Sequence, residues 1–339
     1  MGKRYINGIF AGLGLLLLIL DSKTALIAGQ SAADLCLQSI IPSIFPFLVL
    51  SSMLTTAIRV SALPIWRPIG RVMGISPGSV GIFLTGILSG YPVGAKAVSD
   101  EWENGHISKA EAERMLAFSS NAGPAFLFGI LINSFPNRWM LWQLWGIHIL
   151  SAILVAFIIP SSDSKSHILQ KQSELTWRES MLQAVKTMGY ICGWIVLFRI
   201  ILTFLDRWIL WIVPAEGRVA IHGLVELANG CLSLSTIDSV GLRFILCSGM
   251  LAFGGLCVGL QTASVIGNLN IKNYYLGKIL QTVFSLWFSA MAQQICFHSQ
   301  YSVSLHPLFY AIPVGISVLF WFVLRKKQNN SSNFAQIGV

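Results

Sequence analysis

Ser89-Gly90-Tyr91-Pro92-Val93-Gly94-Ala95-Lys96, followed after a short polar loop by Ser119-Ser120-Asn121-Ala122-Gly123-Pro124, decides the fold. Both runs interrupt apolar segments of membrane length. Broken helix is tolerated at bilayer depth only where its free N–H and C=O groups are buried in protein or line a wet cavity. Two breaks about thirty residues apart therefore predict a cavity built inside the membrane, the place where carriers put their solutes.

Working outward, the composition is that of a membrane protein. The chain has 339 residues, 54% hydrophobic and 11% charged, with a mean hydropathy of +0.68, whereas soluble domains carry about 25% charged residues. We expect an all-α polytopic membrane protein of about 8–10 transmembrane helices with broken or re-entrant segments and two inverted repeats. Ten candidate spans cover 5–20, 35–58, 75–98, 115–134, 139–159, 183–205, 219–235, 242–266, 279–297 and 306–324. Most basic residues outside the spans, Lys272 and Lys278 among them, fall on inside loops when both termini are cytoplasmic. A re-entrant break would reverse everything after it. The net charge of +9 thus reports topology, and no nucleic acid is expected. The first apolar run also reads as a secretory signal, with small residues from Ala25 to Ala33. The six cysteines (Cys36, Cys192, Cys231, Cys247, Cys257 and Cys296) lie in apolar runs and read as packing residues.

One membrane domain, 1–339, is expected, with a polar linker at 161–178. A first repeat spans 33–135, a second 180–268, and C-terminal helices 279–324. Each repeat runs through an amphipathic helix (35–58, then 180–205), a glycine-interrupted segment (81–96, then 221–235) and a small-residue span (116–129, then 246–261). Pro42 and Pro46 predict a kink or short break, or a plain packing kink, because each removes a helix donor. Gly90, Pro92, Gly123 and Pro124 mark the principal breaks.

The polar residues within these spans are the candidate solute contacts. Pro92 suits the first turn of a restarted helix, and its new N-terminus carries free N–H groups. Lys96, one turn on, makes a carboxylate site with them, or else pairs with Asp100 at i+4. Ser89 and Tyr91 line the break. Ser119, Ser120 and Asn121 offer hydroxyls and an amide, either to a ligand or as glue between helices. Glu226 and Asn229 share a helical face and read as a proton or cation site, or as a structural partner of Arg199 or Lys186. His222 with Glu226 would supply only two metal ligands, so no metal site is expected. Arg199 is a second anion contact or the partner of Asp206 or Glu226. Gln261 and Thr262 are further polar contacts. Ser108 followed by Glu111 fits a capping box. No nucleophile–base pair, Walker loop or dinucleotide fingerprint is present, so neither an enzyme nor a cofactor is expected.

Pro42-Ser43-Ile44-Phe45-Pro46-Phe47, Ser89 to Lys96 and Gly105-His106-Ile107-Ser108 give the chain a resemblance to a known family. It resembles the YlbJ-type sporulation integral membrane proteins, which carry the nucleoside recognition or gate domain. The match is strong over 35–135 and weaker from 180 onward, and the Ser119–Pro124 run lacks the acidic group of family versions. The resemblance implies passage of dipicolinic acid, a small dicarboxylate anion, from the mother cell toward the forespore, and residence in the outer forespore membrane. It leaves open a nucleoside or cation as the solute, and a scaffold that transports nothing. The partners expected are the small-molecule anion and the lipid bilayer, with a homo-oligomer and other sporulation membrane proteins left open.

Overall fold

The computed structural model describes residues 2–60, 66–160, 176–297 and 315. The expected span 306–324 and most of the linker lie outside them. The described residues hold fifteen α-helices and no strand. In order these are α1 (Gly2–Leu20), α2 (Ser22–Leu35), α3 (Ile41–Val60), α4 (Trp66–Met73), α5 (Pro77–Ser89), α6 (Val93–Glu103), α7 (Lys109–Ser119) and α8 (Pro124–Ile130). Then follow α9 (Trp139–Ile158), α10 (Trp177–Trp208), α11 (Ala215–Val225), α12 (Leu227–Ser233), α13 (Val240–Phe253), α14 (Gly255–Val265) and α15 (Lys272–Cys296).

Four helical stretches among the described residues are long and apolar enough to cross a bilayer: Ser22–Leu54, Trp139–Ile158, Trp177–Trp208 and Val240–Val265. The pair α4–α5, bent by 83°, makes a fifth if it counts as one span. The expected spans 115–134 and 219–235 fall on helix pairs of 11 and 7 residues, each member too short to cross alone.

Pro42 and Pro46 do not break their helix. A π-helical turn at Cys36–Ile40 leads directly into α3, which contains both prolines. The widened turn takes up the carbonyl that Pro42 would otherwise strike one turn back. Ser43 Oγ donates to the carbonyl of Ser39 at 2.5 Å.

The bend between α4 and α5 has an identifiable cause. Gly74 sits at φ 63°, Ile75 N donates to Gly70 O and Gly74 N to Arg71 O, the pattern of a Schellman end. Buried Arg114 then gathers the loose carbonyls. Its guanidinium donates to Met73 O, Gly74 O, Ala156 O and Ile159 O at 2.7–3.0 Å. Ser108 caps α7 by accepting from Glu111 N, but the Glu111 carboxylate reaches forward to Ser76 N and Ser79 Oγ. One turn of α7 thus anchors the ends of α4, α5 and α9.

Glycines let the broken helices touch backbone to backbone. A methyl on Gly86 or Gly94 would overlap the Ser119 carbonyl oxygen, and one on Gly277 would overlap that of Ala117. Gly90 and Gly123 face each other, a Gly90 Cβ falling 2.9 Å from Gly123 N. In the second half, Gly223 and Gly230 press together in the same way. Small residues at helix crossings are how membrane helices gain van der Waals contact. Gly94→Ala should lower the stability of the detergent-purified protein by about 1–3 kcal/mol or more, as overpacking does. Gly146→Ala, whose Cβ would meet nothing within 4 Å, should hold or raise the unfolding midpoint in the same thermal scan.

Candidate functional site

Four interrupted helix pairs supply the site, two from each half of the chain. The first break, α5 to α6, turns at Gly90 (φ 80°, ψ −176°), a region essentially restricted to glycine. A cis Tyr91–Pro92 bond follows, and Pro92 precedes α6, whose first bond runs from Gly94 N to Gly90 O. Ser89 Oγ donates to Ser51 Oγ on α3 at 3.0 Å.

The second break, α7 to α8, has its free backbone groups taken by side chains from distant helices. Lys278 Nζ donates to Ser120 O, and to Gln281 Oε1 at 2.9 Å. Gln281 Nε2 donates to Asn121 Oδ1 and to His148 O. Asn121 Nδ2 closes onto Phe118 O, and Ala122 N donates to His148 Nε2 at 2.9 Å. That bond makes Nε2 the acceptor, so the ring proton of the neutral tautomer sits on Nδ1.

At the third break, α11 to α12, Glu226 is itself the cap. Its carboxylate accepts from Ala228 N (3.0 Å), Asn229 N (2.7 Å) and Asn229 Nδ2 (2.7 Å). Arg199 donates to Asn229 Oδ1 at 2.8 Å, so it reaches Glu226 through the amide. His222 turns away to Asp206 and Ser233, and the described residues bring no third metal-ligand side chain beside it. The fourth break, α13 to α14, passes through Gly254 and Gly255, both at φ 80°. A Gly255 Cβ would lie 3.0 Å from Gly223 O, so the third and fourth breaks pack on each other as the first and second do.

Three of the breaks and the body of α14 border one small cavity of about 50 Å³, lined among others by Ser89, Gly90, Tyr91, Gly123, Phe126, Glu226, Val258 and Gln261. That is room for a few waters. The Tyr91 hydroxyl is buried there without a hydrogen-bond partner. A second, larger space of about 490 Å³, an open groove where Lys96 meets solvent, is bordered by Thr85, Lys96, Asp100, Glu103, Lys186, Tyr190, Trp194, Gln261 and Ser264. Gln261 lines both and forms part of the wall between them.

The expected contacts therefore divide. Ser89, Tyr91, Glu226 and Gln261 meet at the small cavity, with Gly90 and Gly123. Lys96 stands in the open groove with its ammonium 2.7 Å from Asp100, the side chains 54% and 42% exposed, so the i+4 pairing is the arrangement found. Ser119, Ser120 and Asn121 are fully buried behind the cavity, and the Ser119 and Ser120 hydroxyls have no partner. Asn229 holds Glu226 and Arg199 from behind. Thr262 is buried with its hydroxyl unpartnered.

The sequence reading missed Lys278. Hydropathy assigned it to a loop, whereas α15 begins at Lys272 and carries Lys278 fully buried. The signal was a polar stripe at helical spacing: Lys278, Gln281, Ser285, Ser289 and Gln293 all have zero exposure. The stripe faces inward, and Ser285 meets Ser248 of α13 at 2.8 Å.

Comparison of the sequence with known proteins finds one curated relative. The chain is 25% identical to the sporulation integral membrane protein YlbJ of Bacillus subtilis (strain 168), covering 77% of this chain and 76% of that protein. The YlbJ-type resemblance therefore extends over most of the chain. No protein-family model matches it, and no solved structure does.

The Glu226 cap makes a direct test. Glu226→Ala leaves two backbone N–H groups and the Asn229 amide without their acceptor and should lower stability by about 1–3 kcal/mol. Glu226→Gln keeps one carbonyl oxygen and should lower it by less. Thermal unfolding of the two purified variants side by side checks the order.

Proposed function

We propose that the protein is a membrane carrier for a small polar solute that passes between the two pairs of helix breaks. The observation that carries this reading is the meeting of three breaks and α14 on one cavity bearing Ser89, Tyr91, Glu226 and Gln261. Interrupted helices placed at corresponding positions of two halves are the usual construction of a carrier's central site. The order of breaks, two in each half, supports a pair of inverted repeats. The likeness to the Bacillus subtilis protein supports a role in spore formation. On that likeness the solute is dipicolinic acid moving from the mother cell toward the forespore, and the protein resides in the outer forespore membrane. No catalysis and no cofactor enter this reading.

The two spaces divide the work. The open groove carries Lys186 and Lys96 beside Glu103 and Asp100, with Lys96 paired to Asp100; a dianion arriving from water would have to draw Lys96 from that partner. The small cavity, at about 50 Å³, is too small for an aromatic dicarboxylate. The breaks must part for the solute to pass, with Gln261 in the wall that opens.

Glu226 favours a second reading. A carboxylate 3% exposed at the cavity repels a dianion and suits a cation, a proton or a neutral solute such as a nucleoside. A scaffold that transports nothing is the third.

Flux into liposomes separates the three. Saturable dipicolinate uptake, lowered about 10-fold or more in Lys96→Gln by loss of a charge-assisted contact, is the expected result. Nucleoside or cation flux that Glu226→Gln abolishes would replace it with the second reading. No flux of any of these solutes by folded protein would leave the scaffold.

A further inference from the structure

The end of the second break is built like a site for a small cation. Its donors are oxygens: the Ser120 carbonyl, freed where α7 stops, and the side-chain carbonyl of Gln281. The Ser120 hydroxyl, buried and without a partner, is a spare oxygen on the same residue. The carbonyl end of α7 adds a partial negative charge. Unwound carbonyls and half-helix C-termini are the groups that hold coupling cations in membrane carriers.

The occupant in this chain is covalent. Lys278 has zero exposure and places its ammonium on both oxygens, with the Tyr274 ring 5.9 Å away. Among the described residues no carboxylate pairs with it. A lysine in an apolar interior is costly even on the mildest scales, and a buried cation is normally retained with a counter-charge. Here it meets only neutral oxygens and a helix end, as a dehydrated alkali ion would. We propose that the carbonyl end of the α7–α8 break is a monovalent-cation site filled permanently by the Lys278 ammonium, so that this chain closes the break without a free Na⁺ or K⁺. The inference is independent of which solute is carried.

The test uses the full-length protein in detergent, with thermal unfolding followed in choline, sodium, potassium and methylammonium chloride at equal ionic strength. The wild type should melt at one temperature in all four. Lys278→Ala should melt lower in choline and recover, saturably, in one or more of the three small cations. Lys278→Met should melt lower and stay there, because its side chain fills the space a cation would need. A hydrophobic or merely space-filling role for Lys278 predicts no cation response in either variant. Failure of every small cation to raise the Lys278→Ala midpoint overturns the proposal, as does its aggregation in all four salts, because a free ion should then replace the tethered one. A wild-type midpoint raised specifically by Na⁺ or K⁺ would also overturn it, and that arm needs no variant to fold.

Discussion

Four times among the described residues a helix stops inside the apolar interior, and the backbone groups released there govern the rest of the structure. An unpaired amide or carbonyl in hydrocarbon costs several kcal/mol, so each break needs its own partner. At the first, the chain turns at Gly90 and presses against Gly123. At the second, Lys278 and His148 come in from α15 and α9 to take a carbonyl and an N–H. At the third, Glu226 takes two N–H groups itself. At the fourth, two left-handed glycines lay the backbone against Gly223.

This demand explains where the buried charge went. Lys278, Arg114 and Glu226 are each nearly or wholly enclosed, and each is spent on backbone ends. Arg114 alone binds four carbonyls from two helix termini. Hydrophobic burial cannot hold such helices together in a bilayer, where lipid is as apolar as leucine. Close backbone contact through glycine, and polar side chains aimed at loose ends, take over that role. The inward polar stripe of α15 follows from the same demand, because α15 packs against α7, α9 and α13.

The first two breaks were legible in the sequence because they need residues with special backbone freedom, and Gly-Tyr-Pro and Ala-Gly-Pro announce it. The fourth, at Gly254 and Gly255, was read only as part of a small-residue span. Glu226 was legible as a lone carboxylate in an apolar run, although its role as a cap was not, since capping depends on where the helix restarts. Of the two readings left open for the prolines of α3, the break is the one not found, because a π turn, invisible to composition, takes up the clash of Pro42. Lys96 was placed one turn beyond the break, as α6 has it, but its direction was set by Asp100. Lys278 was lost to a hydropathy average that counts charge as loop. Only the 3.6-residue spacing of its polar neighbours could have shown that the helix began earlier.

Glu226 ties the break to the cavity. The same carboxylate caps α12 and faces the small cavity. Any cation, proton or polar solute that engages its oxygens competes with three N–H donors, two of them the first amides of α12. Arg199 on α10 is attached to this arrangement through Asn229, and the fourth break lies against its other side through Gly255. Under the carrier reading, a ligand that draws the Glu226 oxygens away from these donors would loosen the first turn of α12. Filling the cavity and opening the break would then be coupled at this residue.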